Sequence, residues 1–123
     1  MSESLSTGDL RIEVREEPPR VIRCVWRGKS NHRHPTQILS PFFDKVLTRA
    51  KESSLTVEMH FEDLDHFNSS TITSIIQLIQ DARGRGVPLS LVYDSQLKWQ
   101  KLSFDALRVF VKDDGLLKLE HAS

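Results

Sequence analysis

Five groups of residues have types and spacing from which chemistry could be built. Asp63 and Asp65 with His66 could form a general acid–base pair, but no nucleophile or metal-ligand motif accompanies them, so catalysis is not expected. His32 and His34 could supply two metal ligands, yet no cysteine or carboxylate lies at a fitting local spacing, and neither a metal nor a cofactor is expected. Cys24 lies in an apolar, β-branched run, where a small buried hydrophobe is the default. Gly84-Arg85-Gly86 is too short to cradle a phosphate and follows a helical pattern, so it reads as a helix stop. The fifth group is Asn68-Ser69-Ser70-Thr71, a run of hydroxyls between an apolar strand and a helical pattern. Such a position exposes a serine where free backbone N–H groups and the macrodipole favour an anion. A phosphate there would add roughly two negative charges, enough to reorganise the helix start or repel an acidic partner. The plainer alternative is that these residues only cap the helix.

The elements that must position this run follow from periodicity. Residues 1–8 are small and polar and read as a flexible tail, with one domain over 9–123. Residues 10–14 and 21–26 read as adjacent strands separated by Pro18-Pro19. Residues 28–35 form a polar loop, after which Ser40 and Pro41 mark a helix start ahead of Phe42, Phe43, Val46, Leu47 and Ala50. Leu55, Val57, Met59 and Phe61 alternate with polar residues in a third strand that runs into a loop over 62–68. Ile72, Ile75, Ile76 and Ile79 then mark the buried stripe of a second helix, ended by Gly84 or Gly86. A strand over 87–93, a third helix from about Leu97, breakable near Ser103 and Asp105, and a last strand over 116–120 complete the chain. This order contains two β-α-β crossovers and predicts an α/β domain, a mostly parallel sheet of about five strands with helices packed on it. Its crossovers gather the loops at 28–35, 62–69 and 94–96 at one end, where Lys29 and Arg33 could sense a phosphate on Ser69.

Composition narrows the partners. Seventeen acidic and seventeen basic residues balance in 123, so no global field points to nucleic acid or an anionic membrane. The single cysteine excludes an internal disulfide framework, and the N-terminal residues lack a signal-peptide pattern, so a cytoplasmic location is expected. On the second helix, the short uncharged side chains Ser70, Thr73, Ser74, Gln77 and Gln80 could be desolvated cheaply. Together with Asp65, His66 and Asn68 they are the expected partner-binding surface.

The segment Phe61-Glu62-Asp63-Leu64-Asp65-His66-Phe67-Asn68-Ser69-Ser70-Thr71-Ile72 resembles the strand, loop and helix start of the STAS family, the anti-sigma-factor antagonists. Members carry an acidic-Leu segment, an aromatic or large apolar residue, and Asp-Ser-Ser-Gly-Leu opening a helix. Gly-Arg-Gly-Val-Pro-Leu-Ser-Leu at 84–91 is similar to the family's glycine turn and next strand, and the resemblance covers about residues 55–120. In its details it is similar to bacterial regulatory phosphoproteins that have Asn before the phosphosite and control diguanylate cyclases. Thr71 stands where most members have Gly, and Asn68 replaces a carboxylate. The resemblance implies that Ser69 is the phosphoacceptor of a non-catalytic phosphoswitch. It also implies a cognate protein kinase and phosphatase, and an effector of anti-sigma-factor or diguanylate-cyclase type. Because some domains of this fold bind nucleotides, a small-ligand sensor is the alternative.

Overall fold

Residues 4–122 are described by a computed structural model. The strands are β1 (Leu5–Thr7), β2 (Leu10–Glu17), β3 (Val21–Ser30), β4 (Thr56–His60), β5 (Leu64–Phe67), β6 (Leu89–Asp94) and β7 (Leu117–Ala122). The helices are α1 (Pro35–Ser53), α2 (Ser69–Arg85) and α3 (Lys98–Asp105), the last continued by a 3₁₀ turn over Ala106–Phe110. One sheet runs β1-β2-β3-β4-β6-β7, with β5 also beside β3. The α/β class is as expected, but the sheet has seven strands and is parallel only in part. β1, β2 and β3 pair antiparallel, whereas β3 with β4 and β5, β4 with β6, and β6 with β7 are parallel.

The tail expected over residues 1–8 does not extend over residues 5–7, which form a strand. Residues 5–7 pair with Ile12, Arg11 and Leu10, and half-buried Leu5 packs on the core; residues 1–3 lie outside the described part. The first helix also begins earlier than Ser40. Its start is Pro35 with His34 as N-cap, and Pro41 lies inside it. Burial of Pro35 and Leu39 extends the apolar stripe one turn upstream of Phe42, which offsets the hydrogen bond that an interior proline forfeits.

Alternation sorts the sheet into two faces. Leu10, Ile12 and Val14, Ile22, Cys24 and Trp26, and Val57 and Met59 are buried, while Arg11, Arg15 and Arg27 stand exposed between them. Burial pushes the Cys24 thiol up to about 12, leaving it without thiolate character. The core continues as a chain of aromatic contacts, Trp26 to Phe61 at 4.9 Å, Phe61 to Phe104 at 4.9 Å and Phe104 stacked on Tyr93 at 5.1 Å.

The feature that shapes the site is an interrupted strand. β3 pairs first with β4, through Val21–Val25, and then with β5, through Gly28–Ser30, so β4 and β5 are two parts of one line broken at residues 61–63. The register shifts between Gly28 and Lys29. Gly28 has φ 84°, and a Cβ there would lie 1.9 Å from the Asp9 carbonyl oxygen, so only glycine fits. Gln100, fully buried on α3, spans the break. Its Nε2 donates to the carbonyls of Phe61 (2.6 Å) and Leu64 (3.2 Å), and its Oε1 accepts from Asp94 N–H (2.7 Å).

Candidate functional site

The segment expected to be a loop over 62–68 is mostly strand β5, with Leu64 and Phe67 buried and Asp65 and His66 exposed between them. Phe67 packs edge-on to Trp99 at 5.0 Å, and the His66 ring lies 6.4 Å from the same indole. Asp63 is exposed and 3.8 Å from Arg27.

α2 opens immediately after β5, and Asn68 fixes the junction. It is the N-cap: Oδ1 accepts from Thr71 N–H at 2.9 Å and from Thr71 Oγ1 at 2.8 Å. Its Nδ2 donates to the His32 carbonyl at 2.9 Å, and its backbone N–H donates to the Ser30 carbonyl at 3.1 Å. Thr71, buried, exchanges a 2.7 Å hydrogen bond with Ser30 Oγ. The end of β3, the loop after it and the head of α2 are thereby one hydrogen-bonded unit, as the crossover argument requires.

Ser69 and Ser70 occupy the first two helical positions, both exposed, and neither hydroxyl has a hydrogen-bond partner among the described residues. The first turn carries no acidic residue, so nothing in it complements the positive end of the helix dipole. Ser70 lines a pocket of about 320 Å³ with Arg33, His34, Pro35, Thr36, Gln37 and Thr73, whereas Ser69 does not line it. Arg33 and Ser70 thus line the same pocket. Lys29 is exposed but belongs to β3, in register with His66, and not to a loop.

Two expectations for α2 are corrected. The buried stripe is Thr71, Ser74, Ile75, Leu78, Ile79 and Ala82, with Ile72 and Ile76 only half-buried. Ser74 is therefore no surface residue; it is 2% exposed, with its hydroxyl 2.8 Å from Thr36 Oγ1 on α1. Two hydroxyl pairs, Thr71 with Ser30 and Ser74 with Thr36, make polar residues acceptable inside and rotate the stripe. Thr73, Gln77 and Gln80 do face solvent. α2 ends at Gly86, at φ 71°, whose N–H reaches the carbonyls of Ala82 and Arg83; Gly84 is still helical.

Sequence reasoning missed a second polar cluster, on the open sheet face. His60 places Nε2 at 2.8 Å from Glu58 and Nδ1 at 3.1 Å from Glu62, and Arg23 joins Glu58 to Glu17. Burial pushes the Glu58 carboxyl up, but hydrogen bonds and charge from His60 and Arg23 outweigh it and hold the group below its ordinary value. The signal was the period-two spacing of 58, 60 and 62. Among the described residues no group of three or more His, Cys, Asp and Glu side chains is placed to hold a metal ion. Nor is any helix among them long and apolar enough to cross a membrane.

Comparison with solved structures decides the architecture. The anti-sigma factor antagonist SpoIIAA in its unphosphorylated form aligns with TM-score 0.54 and 14% identity over 74% of this chain and 79% of that one. The chain has a SpoIIAA-like fold. An uncharacterised DUF3478-family protein from Shewanella loihica PV-4, described as having a SpoIIAA-like fold, aligns with TM-score 0.59 and 12% identity over 97% of this chain and 91% of that one. No protein-family model matches the sequence, and no curated protein does. At such identities the likeness concerns the fold, the STAS-like architecture that the sequence around Ser69 suggested.

Proposed function

We propose that this chain is a non-catalytic, cytoplasmic regulatory protein that binds a partner protein according to the phosphorylation state of Ser69. The observation that carries the reading is the Ser69 hydroxyl, exposed and without a partner at the head of a helix whose first turn holds no acid. A phosphate there would face unpaired N–H groups and the positive end of the dipole. It would also sit beside Asn68, which is held from both sides, so the added charge would act on a rigid surface. The solved neighbour SpoIIAA is described as an anti-sigma factor antagonist in its unphosphorylated form, which favours a phosphorylation cycle here as well. A protein kinase, a phosphatase and an effector of anti-sigma-factor or diguanylate-cyclase type are the corresponding partners. The docking surface would comprise Asp65, His66, Asn68, Ser70, Thr73 and Gln77. Pockets of about 320 and 240 Å³ fall at or below the lower end of small-molecule sites, which gives the nucleotide-sensor reading less support.

The test is phosphate mapping by mass spectrometry on protein isolated from its own cells, alongside Ser69→Ala and Ser70→Ala. Phosphate should be lost in the first variant and kept in the second. Since Ser70 is equally exposed, the converse result would move the site by one residue, and no phosphate on either would refute the switch.

A further inference from the structure

The large apolar side chains that stand exposed among the described residues fall in one stretch: Leu97 (37% exposed), Leu102 (72%), Val109 (74%) and Val111 (42%). The inward side of that stretch is already filled by Gln100, Phe104 and Leu107, which leaves Leu102 and Val109 mostly to solvent and Leu97 and Val111 partly so. On α3, exposed Lys98, Lys101 and Leu102 share the solvent side at three- and four-residue spacing, and Val109 is exposed on the 3₁₀ turn that follows.

The same stretch is basic in a chain without net charge. Residues 97–112 hold Lys98, Lys101, Arg108 and Lys112 against the single carboxylate of Asp105. That carboxylate is taken: Lys101 Nζ lies at 2.7 Å and Arg108 Nε at 3.4 Å, and Arg108 Nη2 also donates to Tyr93 OH at 2.9 Å. Lys98 and Lys112, which flank Leu102, Val109 and Val111 in sequence, have no ion-pair partner among the described residues. Leu102 and Val109 thus lie between two unpaired cations along the chain.

We infer that this face docks an acidic amphipathic helix of a partner protein. Apolar residues spaced by three or four would cover Leu102 and Val109, and flanking carboxylates would meet Lys98 and Lys112. The charge pattern selects this occupant over two others. A flat anionic membrane would need a broad field of free cations, whereas only Lys98 and Lys112 are unpaired here, Lys101 and Arg108 being held by Asp105. A second copy joined through the same face would set cations against cations. This surface is independent of the Ser69 reading.

The experiment titrates the full ¹⁵N-labelled chain with a synthetic helix-stabilised peptide bearing Leu at every third or fourth position and Glu between. Saturating amide shifts should be confined to residues 97–112. Leu102→Glu with Val109→Glu, and separately Lys98→Glu with Lys112→Glu, should each weaken binding about tenfold or more. Both double variants alter exposed side chains and should melt as the parent does, and a peptide with Lys in place of Glu should not bind. Shifts elsewhere, no saturation, or equal binding of the Lys peptide would overturn the inference. So would phosphatidylserine vesicles that capture the chain when the peptide does not, or self-association abolished by Leu102→Glu.

Discussion

Asn68→Asp isolates what an amide, as opposed to a carboxylate, does at the head of α2. The substitution keeps the oxygen that accepts from Thr71 N–H at 2.9 Å and Thr71 Oγ1 at 2.8 Å, and Asp and Asn cap helices about equally well. A negative charge at the N-terminus would by itself stabilise the helix by about 0.3–1 kcal/mol. Against this, the 2.9 Å donation from Nδ2 to the His32 carbonyl is lost, and an ionised carboxylate oxygen would face that carbonyl with no proton between them. An acceptor left unmet in this way costs about 1–3 kcal/mol, so the loss wins by about 1–2 kcal/mol. In a domain of this size that corresponds to a fall of about 3–8 °C in Tm. Asn68→Ala removes the cap, worth about 1 kcal/mol, as well as the His32 bond, and should lose about 2 kcal/mol or more. Thermal unfolding followed by circular dichroism at neutral pH should therefore rank the parent above Asp and Asp above Ala. An Asp variant melting at or above the parent would refute the reasoning, because the loop carrying Arg33 would then not be fastened through Asn68.

Other outcomes follow from burial and charge. Ser74→Arg would force a guanidinium between α1 and α2 and should cost more than about 3 kcal/mol, read as a fall in the urea midpoint. An unchanged midpoint would contradict the burial of Ser74. Gln100→Leu keeps the volume but strips partners from the Phe61 and Leu64 carbonyls and the Asp94 N–H, and should lose about 2–4 kcal/mol in the same assay. Native Cys24, its thiol pushed up to about 12, should resist iodoacetamide at mildly alkaline pH and react fully once the chain is denatured; prompt native alkylation would argue against its burial. Glu58 is held below its ordinary 4.5, so its contribution to stability is present above that value and lost as pH falls through the folded-state pKa. Glu58→Gln should accordingly be less stable than the parent at neutral pH, with the gap closing in acid, and a gap independent of pH would refute the assignment.

Local patterns revealed those parts of the fold whose burial follows from one segment's own residues. The alternation of Val57, Met59 and Phe61 and the hydroxyl-rich start of α2 are of this kind, and both lie where periodicity placed them. The misses involve partners far along the chain. Ser74 read as a surface residue, and Thr71 as part of a local capping run, because the hydroxyls that satisfy them belong to Thr36 and Ser30, 38 and 41 positions away. β5 escaped notice because its buried residues, Leu64 and Phe67, are three apart and straddle the register shift at Gly28 and Lys29. Gln100 gave no local sign that its amide would be fully buried. In the candidate site, the identity of the exposed serines was legible, but the fastening of Asn68 to His32 was not, since it joins two loops.

The break between β4 and β5 gives the site its own threshold for opening. β5 hangs on a short ladder to Gly28–Ser30 on one side and on the Gln100 amide on the other. If α3 lifted, β5 would lose its second support while the β3–β4–β6 ladder stayed intact. The head of α2 is thus attached on one side to β3 through Ser30 and on the other to a short strand that leans on α3, so loosening α3 would lower the cost of opening the site locally without breaking the central ladder.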